Sequence, residues 1–412
     1  MPNSFAFVAS DCMPSTRTNF PITLANVALA HCTGASTKFA MHILITTDTL
    51  SDVWIHTREL ASELTARGMR VTLVSFGDIP VSESVVWMNG LPNFTYCPTA
   101  FRLDWMQEGE QDFPDAHSYL TALIRELNPD IVHVNHLRFG SLQTGVPCVA
   151  AAHGDYVGWW HAVHGREPKA SPWLRTYRDD IRRGLQQADV VVASSAWLQN
   201  TVQENYGKPH RAEVIHNGRN PIHFNPYLSK QTSVLAAGRT LDLSKGIDLL
   251  TRYTHDLPIQ IAGSEMPPAQ AHSPIRTDLR LAVDEAQVSF KGAQTEAQMR
   301  MLLSRSSIYA ATSRYDASGA GTLEAAFSRC AIVANDIPVH RELWGEAALY
   351  FETNRSQSLA ECIRALRDDT QMCREYGNRA YQRARERFTA RRMANDYLTL
   401  YRRLAYDHRA VA

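Results

Sequence analysis

The sequence predicts an α/β protein made of two doubly wound halves of similar size that face each other across a cleft. Three observations lead there. The chain has 412 residues, more than one hydrophobic core usually supports, so two domains are expected. From Met41 onward, short β-rich runs alternate with helical stretches, the pattern of a parallel sheet covered on both faces. Midway, NGRNPIHFNPYLSKQTS (Asn217–Ser233) gathers turn formers without periodicity and reads as a linker, after which the alternation restarts.

The elements follow in order. MHILITT reads as a strand, SDVWIHTRELASELTARG as an amphipathic helix stopped at Gly68, and RVTLVSF as a second strand. Next come the helix HSYLTALIREL, the strands DIVHVN and VPCVAAAH, and the helix WLRTYRDDIRRGLQQA. Strand DVVVAS, helix SAWLQNTVQENYG and strand EVIHN complete the first half. The second half runs SVLAAGR, helix KGIDLLTRY, PIQIAGS, QVSFKG, helix TEAQMRMLLSRS and SIYAATS. It continues with helix GTLEAAFSRC, AIVAND, helix PVHRELWG and ALYFE. An arginine-rich helical stretch closes the chain, its apolar positions marking a packed face and its arginines a solvated one, with a membrane-surface role as the alternative. Residues 1–40 lack periodicity and read as a disordered extension or an upstream start before Met41; with no basic region ahead of LANVALAHC, a signal peptide is not expected.

Bulk properties exclude several function classes. Formal net charge is +0, so no basic field points to nucleic acid. Seven scattered cysteines with no CxxC suit a reducing, cytoplasmic setting rather than a disulfide framework or zinc site. The chain has no G-x-x-x-x-G-K-[ST], no H-E-x-x-H, no G-x-S-x-G and no G-x-G-x-x-G after the first strand. No two aspartates flank a single residue, so the usual aspartate pair for a metal-bound diphosphate is missing. A diphosphate would have to be neutralised by protein groups, and no cofactor or metal is expected.

Candidate groups lie in the second half. Strand SVLAAGR ends at Gly238–Arg239, and Lys245–Gly246 follows, expected to open the next helix. Two cations at a strand's C-terminal end suit a diphosphate, although such residues are more often plain surface charge. The stretch SRYDASGAGTLEAA (Ser313–Ala326) follows a strand with an acid-and-glycine loop. Gly319, Ala320, Gly321 and Thr322 are expected at a helix N-terminus, where free backbone N–H groups bind phosphate. Glu324, expected within about the first turn, is placed for ribose hydroxyls, and Asp316 for hydroxyls of a sugar beyond the phosphates. Alone, Glu324 could equally be a favourable acid near a helix start.

YDASGAGTLEAAFSRCAIVANDIPVHREL resembles the Glu-x7-Glu segment of retaining glycosyltransferase family 4, a family of two Rossmann-like domains in the GT-B arrangement. AAGRTLDLSKG resembles that family's donor-phosphate segment, VIHNGRNPIHF its interdomain segment, TTDTLSDVWIHTRELASELTARGMRVTLVS its opening strand and helix, and AHGDYVGWWHAVHG its strand-end histidine segment. The resemblance covers nearly all of Met41–Phe351 and implies transfer of a sugar from a nucleotide sugar, with retention and without metal. It implies an acceptor-side domain at 41–222, a donor domain at 233–385, and a last helix at 386–412 returning to the first domain. Arg239 and Lys245 would hold the departing diphosphate, Glu324 the ribose, and Asp316 the sugar hydroxyls. His153 would contact the transferred sugar.

Two departures stand out. Asp316 is one methylene shorter than the family's Glu, and Ser51–Asp52 replaces the Gly-Gly of the first βα loop, where Asp52 would repel phosphate unless it meets another partner. A catalytically inactive sugar-nucleotide or glycan binder, or a GT-B-like epimerase, are therefore the alternatives. Loops such as Pro98–Asp115 and Tyr156–Pro172, rich in aromatics, could stack on an acceptor; a glycan, a lipid or a small molecule all fit. A lipid acceptor would place the protein peripherally at the inner face of a membrane.

Overall fold

The computed structural model of the protein describes residues 41–103, 109–264 and 287–411; the expected extension at 1–40 lies outside them. The first sheet comprises β1 (His42–Asp48), β2 (Arg70–Phe76), β3 (Phe94–Pro98), β4 (Ile131–Val134), β5 (Cys148–Ala152), β6 (Val190–Ala193) and β7 (Ala212–Val214). All pairings are parallel, in the order β3-β2-β1-β4-β5-β6-β7. The second comprises β8 (Gln231–Ala237), β9 (Ile259–Ala262), β10 (Val288–Gly292), β11 (Ser306–Ala311), β12 (Ala331–Asn335) and β13 (Ala348–Phe351). It is also parallel, in the order β10-β9-β8-β11-β12-β13. Each order reverses direction once, between β1 and β4 and between β8 and β11, and such switch points open a crevice at the C-terminal strand ends.

Helices of the first half are α1 (Val53–Ala66), α2 (Ser82–Val85), α3 (Phe113–Leu127), α4 (Tyr156–His164), α5 (Pro172–Gln187) and α6 (Ala196–Tyr206). Those of the second are α7 (Asp248–Thr251), α8 (Glu296–Arg305), α9 (Ala320–Phe327), α10 (Pro338–Trp344), α11 (Ser356–Asp368), α12 (Thr370–Arg387) and α13 (Ala390–Val411). Every residue of β1 is buried, because a parallel sheet with helices on both faces hides both sides of its strands. The doubly wound architecture read from the sequence is the one observed.

Three readings need correction. KGIDLLTRY is not one helix: a 3-10 turn, Leu243–Lys245, ends at Gly246 in the left-handed region (φ +60), and α7 has only 4 residues. A Cβ on Gly246 would stand 2.2 Å from the Thr312 carbonyl oxygen, so the turn is pinned there. Lys245 thus ends a turn rather than opening a helix. Tyr156–Pro172 is not simply a loop, since Asp155 accepts from the Gly158 amide (2.6 Å) and starts α4. The half-exposed edge strand β3 was not anticipated.

The chain crosses between the halves twice, and the crossings touch. The Arg219 amide donates to the Phe388 carbonyl (3.0 Å) and the Ala390 amide to the Arg219 carbonyl (2.9 Å). Gly218 permits this approach, because a Cβ there would lie 2.4 Å from the Thr389 oxygen. α12 buries Ala380 and Ala384 in the core of the second sheet. α13 buries Met393, Tyr397, Leu400 and Tyr401 against Ile43, Ile45 and Leu60 of the first.

Candidate active site between the two sheets

On the first-half side, Asp48 shapes the loop after β1. Its carboxylate accepts from the amides of Leu50 (3.0 Å) and Ser51 (2.7 Å) and from Ser51 Oγ (2.8 Å). Ser51 is therefore a loop former, and these two amides already have an acceptor. Asp52, at the start of α1, makes no cap bond; its Oδ2 accepts from Ser318 Oγ (2.8 Å) of the second half. The charge that would repel phosphate meets a hydroxyl donor instead. His153 follows β5, with Nε2 2.8 Å from Asn135 Oδ1 and its ring 4.5 Å from that of His56. Burial, with His56, His133 and His136 nearby, holds its pKa well below the usual imidazole value.

The second-half side carries the cations. Arg239 pairs with Asp242 (2.8 Å). The Lys245 side chain lies across Gly238, where a Cβ would be 3.0 Å from Lys245 Cβ. Its ammonium has no hydrogen-bond or ion-pair partner among the described residues, while its carbonyl accepts from Thr312 Oγ1 (2.7 Å). Gly319, at φ +64, precedes α9. Its amide donates to Asp316 Oδ1 (2.8 Å), and the Ala320 amide to Ser318 Oγ (3.3 Å). The amides of Gly321 and Thr322 have no acceptor among the described residues, which leaves two donors at a helix start. Packing requires a glycine at 321, because a Cβ there would lie 2.4 Å from Tyr309 Oη.

Asp316 is an anion held in place. Burial pushes its carboxyl up, but His340, Lys245 and the Gly319 amide outweigh that and bring it down to about 2. His340 Nε2 stands 3.5 Å from Asp316 Oδ2, and its Nδ1 donates to the Asn335 carbonyl (2.9 Å). Glu324 is the fifth residue of α9, about one turn in, and it has a partner the sequence did not foretell: its Oε1 accepts from Arg219 Nη2 (2.7 Å). Arg219 also donates through Nη1 to Glu59 Oε1 on α1 (2.6 Å). Burial pushes the Glu324 and Glu59 carboxyls up, and Arg219 opposes it in both.

The two sides meet directly. The Asp155 amide donates to Tyr315 Oη (2.9 Å), Ser194 Oγ to the Ala317 carbonyl (2.6 Å) and Asn217 Nδ2 to the Ser318 carbonyl (3.2 Å). Glu342 of α10 accepts from the Ala196 and Trp197 amides that begin α6 (2.7 and 2.8 Å), and Arg58 pairs with Glu296. The loop after His153 therefore borders the loop that carries Asp316 and Gly319. His153, Asp52, Ser318, Asp316 and the start of α9 are brought together, with Glu324 one turn deeper on Arg219.

Residues 53–222 match the family described as Glycosyltransferase Family 4, and residues 229–383 match Glycosyl transferases group 1. The chain belongs to these glycosyltransferases. Among curated proteins, the glycosyltransferase is 25% identical over 296 residues to an alpha-maltose-1-phosphate synthase of Mycolicibacterium smegmatis, covering 64% of this chain and 75% of that one. Sucrose-phosphate synthase from Thermosynechococcus elongatus superposes with a TM-score of 0.71 at 18% identity, over 88% of this chain and 99% of that chain. Anabaena Alr3699/HepE, solved in complex with UDP and glucose, gives a TM-score of 0.68 at 18% identity, over 87% and 99%. At such identities the structural likeness is one of fold.

Sequence reading missed Arg219, Glu59, Asn135 and Ser318 in this glycosyltransferase. Arg219 stands in a turn-rich segment, and its two carboxylate partners are 160 and 105 positions away. Asn135, the last residue of the run DIVHVN and just past β4, had a positional signal, since side chains at C-terminal strand ends face the crevice.

Proposed function

We propose that the protein is a retaining, metal-independent glycosyltransferase that moves a sugar from a nucleotide-diphosphate sugar to a glycan, lipid or small-molecule acceptor. One observation carries the reading: an unpartnered Lys245 ammonium and the free amides of Gly321 and Thr322 lie in the half whose 315–319 loop touches the His153 segment. Lys245 and the α9 amides would stabilise the charge that grows on the departing diphosphate. Arg239 would join them by sharing its guanidinium between Asp242 and phosphate. Asp316, an anion at neutral pH, would accept hydroxyls of the donor sugar. Glu324 keeps one carboxylate oxygen for ribose while Arg219 holds the other. The acceptor hydroxyl would attack from the face the diphosphate leaves, and the departing phosphate would take its proton. This needs no protein nucleophile, so catalysis is mainly electrostatic.

One observation favours an inactive binder instead: Arg239 and Glu324 both already have protein partners. Incubation with a nucleotide-sugar panel separates the readings. Slow release of nucleoside diphosphate supports transfer, whereas binding without turnover supports the binder. UDP-glucose is the first donor to try, because HepE was also solved with it. No described helix is long and apolar enough to cross a membrane. With a lipid acceptor, α13 would meet the membrane through exposed arginines such as Arg391 and Arg402, because its apolar face is buried.

A further inference from the structure

Asn135 lies beneath His153 and is 5% exposed. Its orientation is fixed by what surrounds it. The side-chain nitrogen is 2.7 Å from the Thr46 carbonyl oxygen and 3.2 Å from Thr57 Oγ1. A carbonyl oxygen only accepts, so the amide NH2 must face it. The remaining atom, Oδ1, also only accepts, and it stands 2.8 Å from His153 Nε2. That nitrogen must therefore carry a hydrogen.

The groups around the ring give no reason for a second proton. His56 of α1 faces it at 4.5 Å, and His133 and His136 approach from β4 and the residues after it. Asp155, two positions on, directs its carboxylate to the Gly158 amide, Asn205 and Tyr206. With the ring neutral, Nδ1 holds a lone pair. It has no partner among the described residues, yet it is not among their solvent-shielded polar atoms.

We infer that Asn135 is a positioning residue: it fixes the His153 proton on Nε2 and leaves Nδ1 as a bare acceptor that takes a hydrogen bond from a hydroxyl of the transferred sugar. A lone pair there repels phosphate oxygens and carboxylates, so this end of the crevice selects a neutral, hydroxyl-bearing sugar over a uronic acid. The sugar contact rests on the transferase reading. The tautomer does not.

The test uses the full chain labelled with 15N-histidine. Long-range 1H–15N correlation spectra distinguish the two tautomers and the imidazolium, and His153→Gln assigns the signal. The expected result is an Nε2–H imidazole at neutral pH. An Nδ1–H tautomer or an imidazolium in the unaltered protein at neutral pH would overturn the inference without touching the transferase reading. Asn135→Leu, read with UDP-glucose and with UDP alone, should lower kcat/KM roughly tenfold while UDP affinity holds, as for loss of one hydrogen bond of about 1.4 kcal/mol. An unchanged kcat/KM would overturn the positioning role. Failure of every nucleotide sugar to bind would instead sink the transferase reading, with the tautomer still standing on its spectrum.

Discussion

Replacing Arg219 with Met should be among the most damaging single changes in the protein. The guanidinium is 4% exposed and bridges Glu59 (5%) and Glu324 (15%), one carboxylate from each half. Removing it strands two buried acids. Breaking a buried pair by deleting one partner costs roughly 3–5 kcal/mol, a large share of the ~5–15 kcal/mol that stabilises a typical protein. At about 1 °C per kcal/mol for a chain of this length, from about 2.1 cal/mol/K of unfolding entropy per residue, the melting temperature should fall by roughly 3–6 °C. The pH dependence gives a sharper signature. Both carboxyls already sit above their ordinary values through burial, and losing Arg219 raises them further. A carboxyl with a raised folded-state pKa favours folding below its unfolded value and loses that contribution as pH rises through the folded value. The variant's deficit should therefore widen as pH rises above the ordinary glutamate value of about 4.3. Adding Glu59→Gln should recover part of the loss. Scanning calorimetry across that rise is the assay; a drop below about 2 °C, or a deficit that shrinks with pH, refutes the reasoning.

Other expectations follow from the same geometry. Gly246→Ala should lower the melting temperature and cut transfer at least tenfold, because the left-handed backbone and the Thr312 carbonyl at 2.2 Å both resist a Cβ; unchanged turnover would detach the Lys245 turn from catalysis. Asp316, brought down to about 2 from 3.8, adds about 2 kcal/mol of stability that is present above pH ~4 and lost as pH falls toward ~2. Asp316→Asn should flatten acid unfolding in that window, and an identical acid transition would contradict the assignment. If Glu324 holds the donor's ribose as proposed, Glu324→Gln should raise KM for the donor more than it lowers kcat, because that contact is remote from the bond that breaks; unchanged donor affinity by calorimetry would count against the role.

The halves were legible because a parallel strand buried on both faces leaves an apolar run: β1, HILITTD, is buried along its whole length. The edge strand β3 was not, since FTYCP is half-exposed and its pattern is broken. α4 was hidden by an aromatic-rich composition whose helix start depends on one cap, Asp155. Motif positions led to Lys245, Asp316 and Glu324, but spacing could not reveal that Lys245 ends a turn or that Glu324 already has a cation. Those facts depend on Gly246 against Thr312 and on Arg219 arriving from the linker. Pairings across a hundred or more positions leave no periodic trace.

The central claim is that Lys245 and the amides beginning α9 grip a diphosphate without a metal ion. Titrating UDP into the protein in excess EDTA, beside Lys245→Ala, tests it most directly by calorimetry. The account predicts binding by the unaltered protein and a loss of roughly 10- to 100-fold in the variant, the worth of one charge-assisted hydrogen bond of about 1.5–3 kcal/mol. Equal affinity in the two proteins, or binding that appears only when a divalent cation is restored, would contradict it.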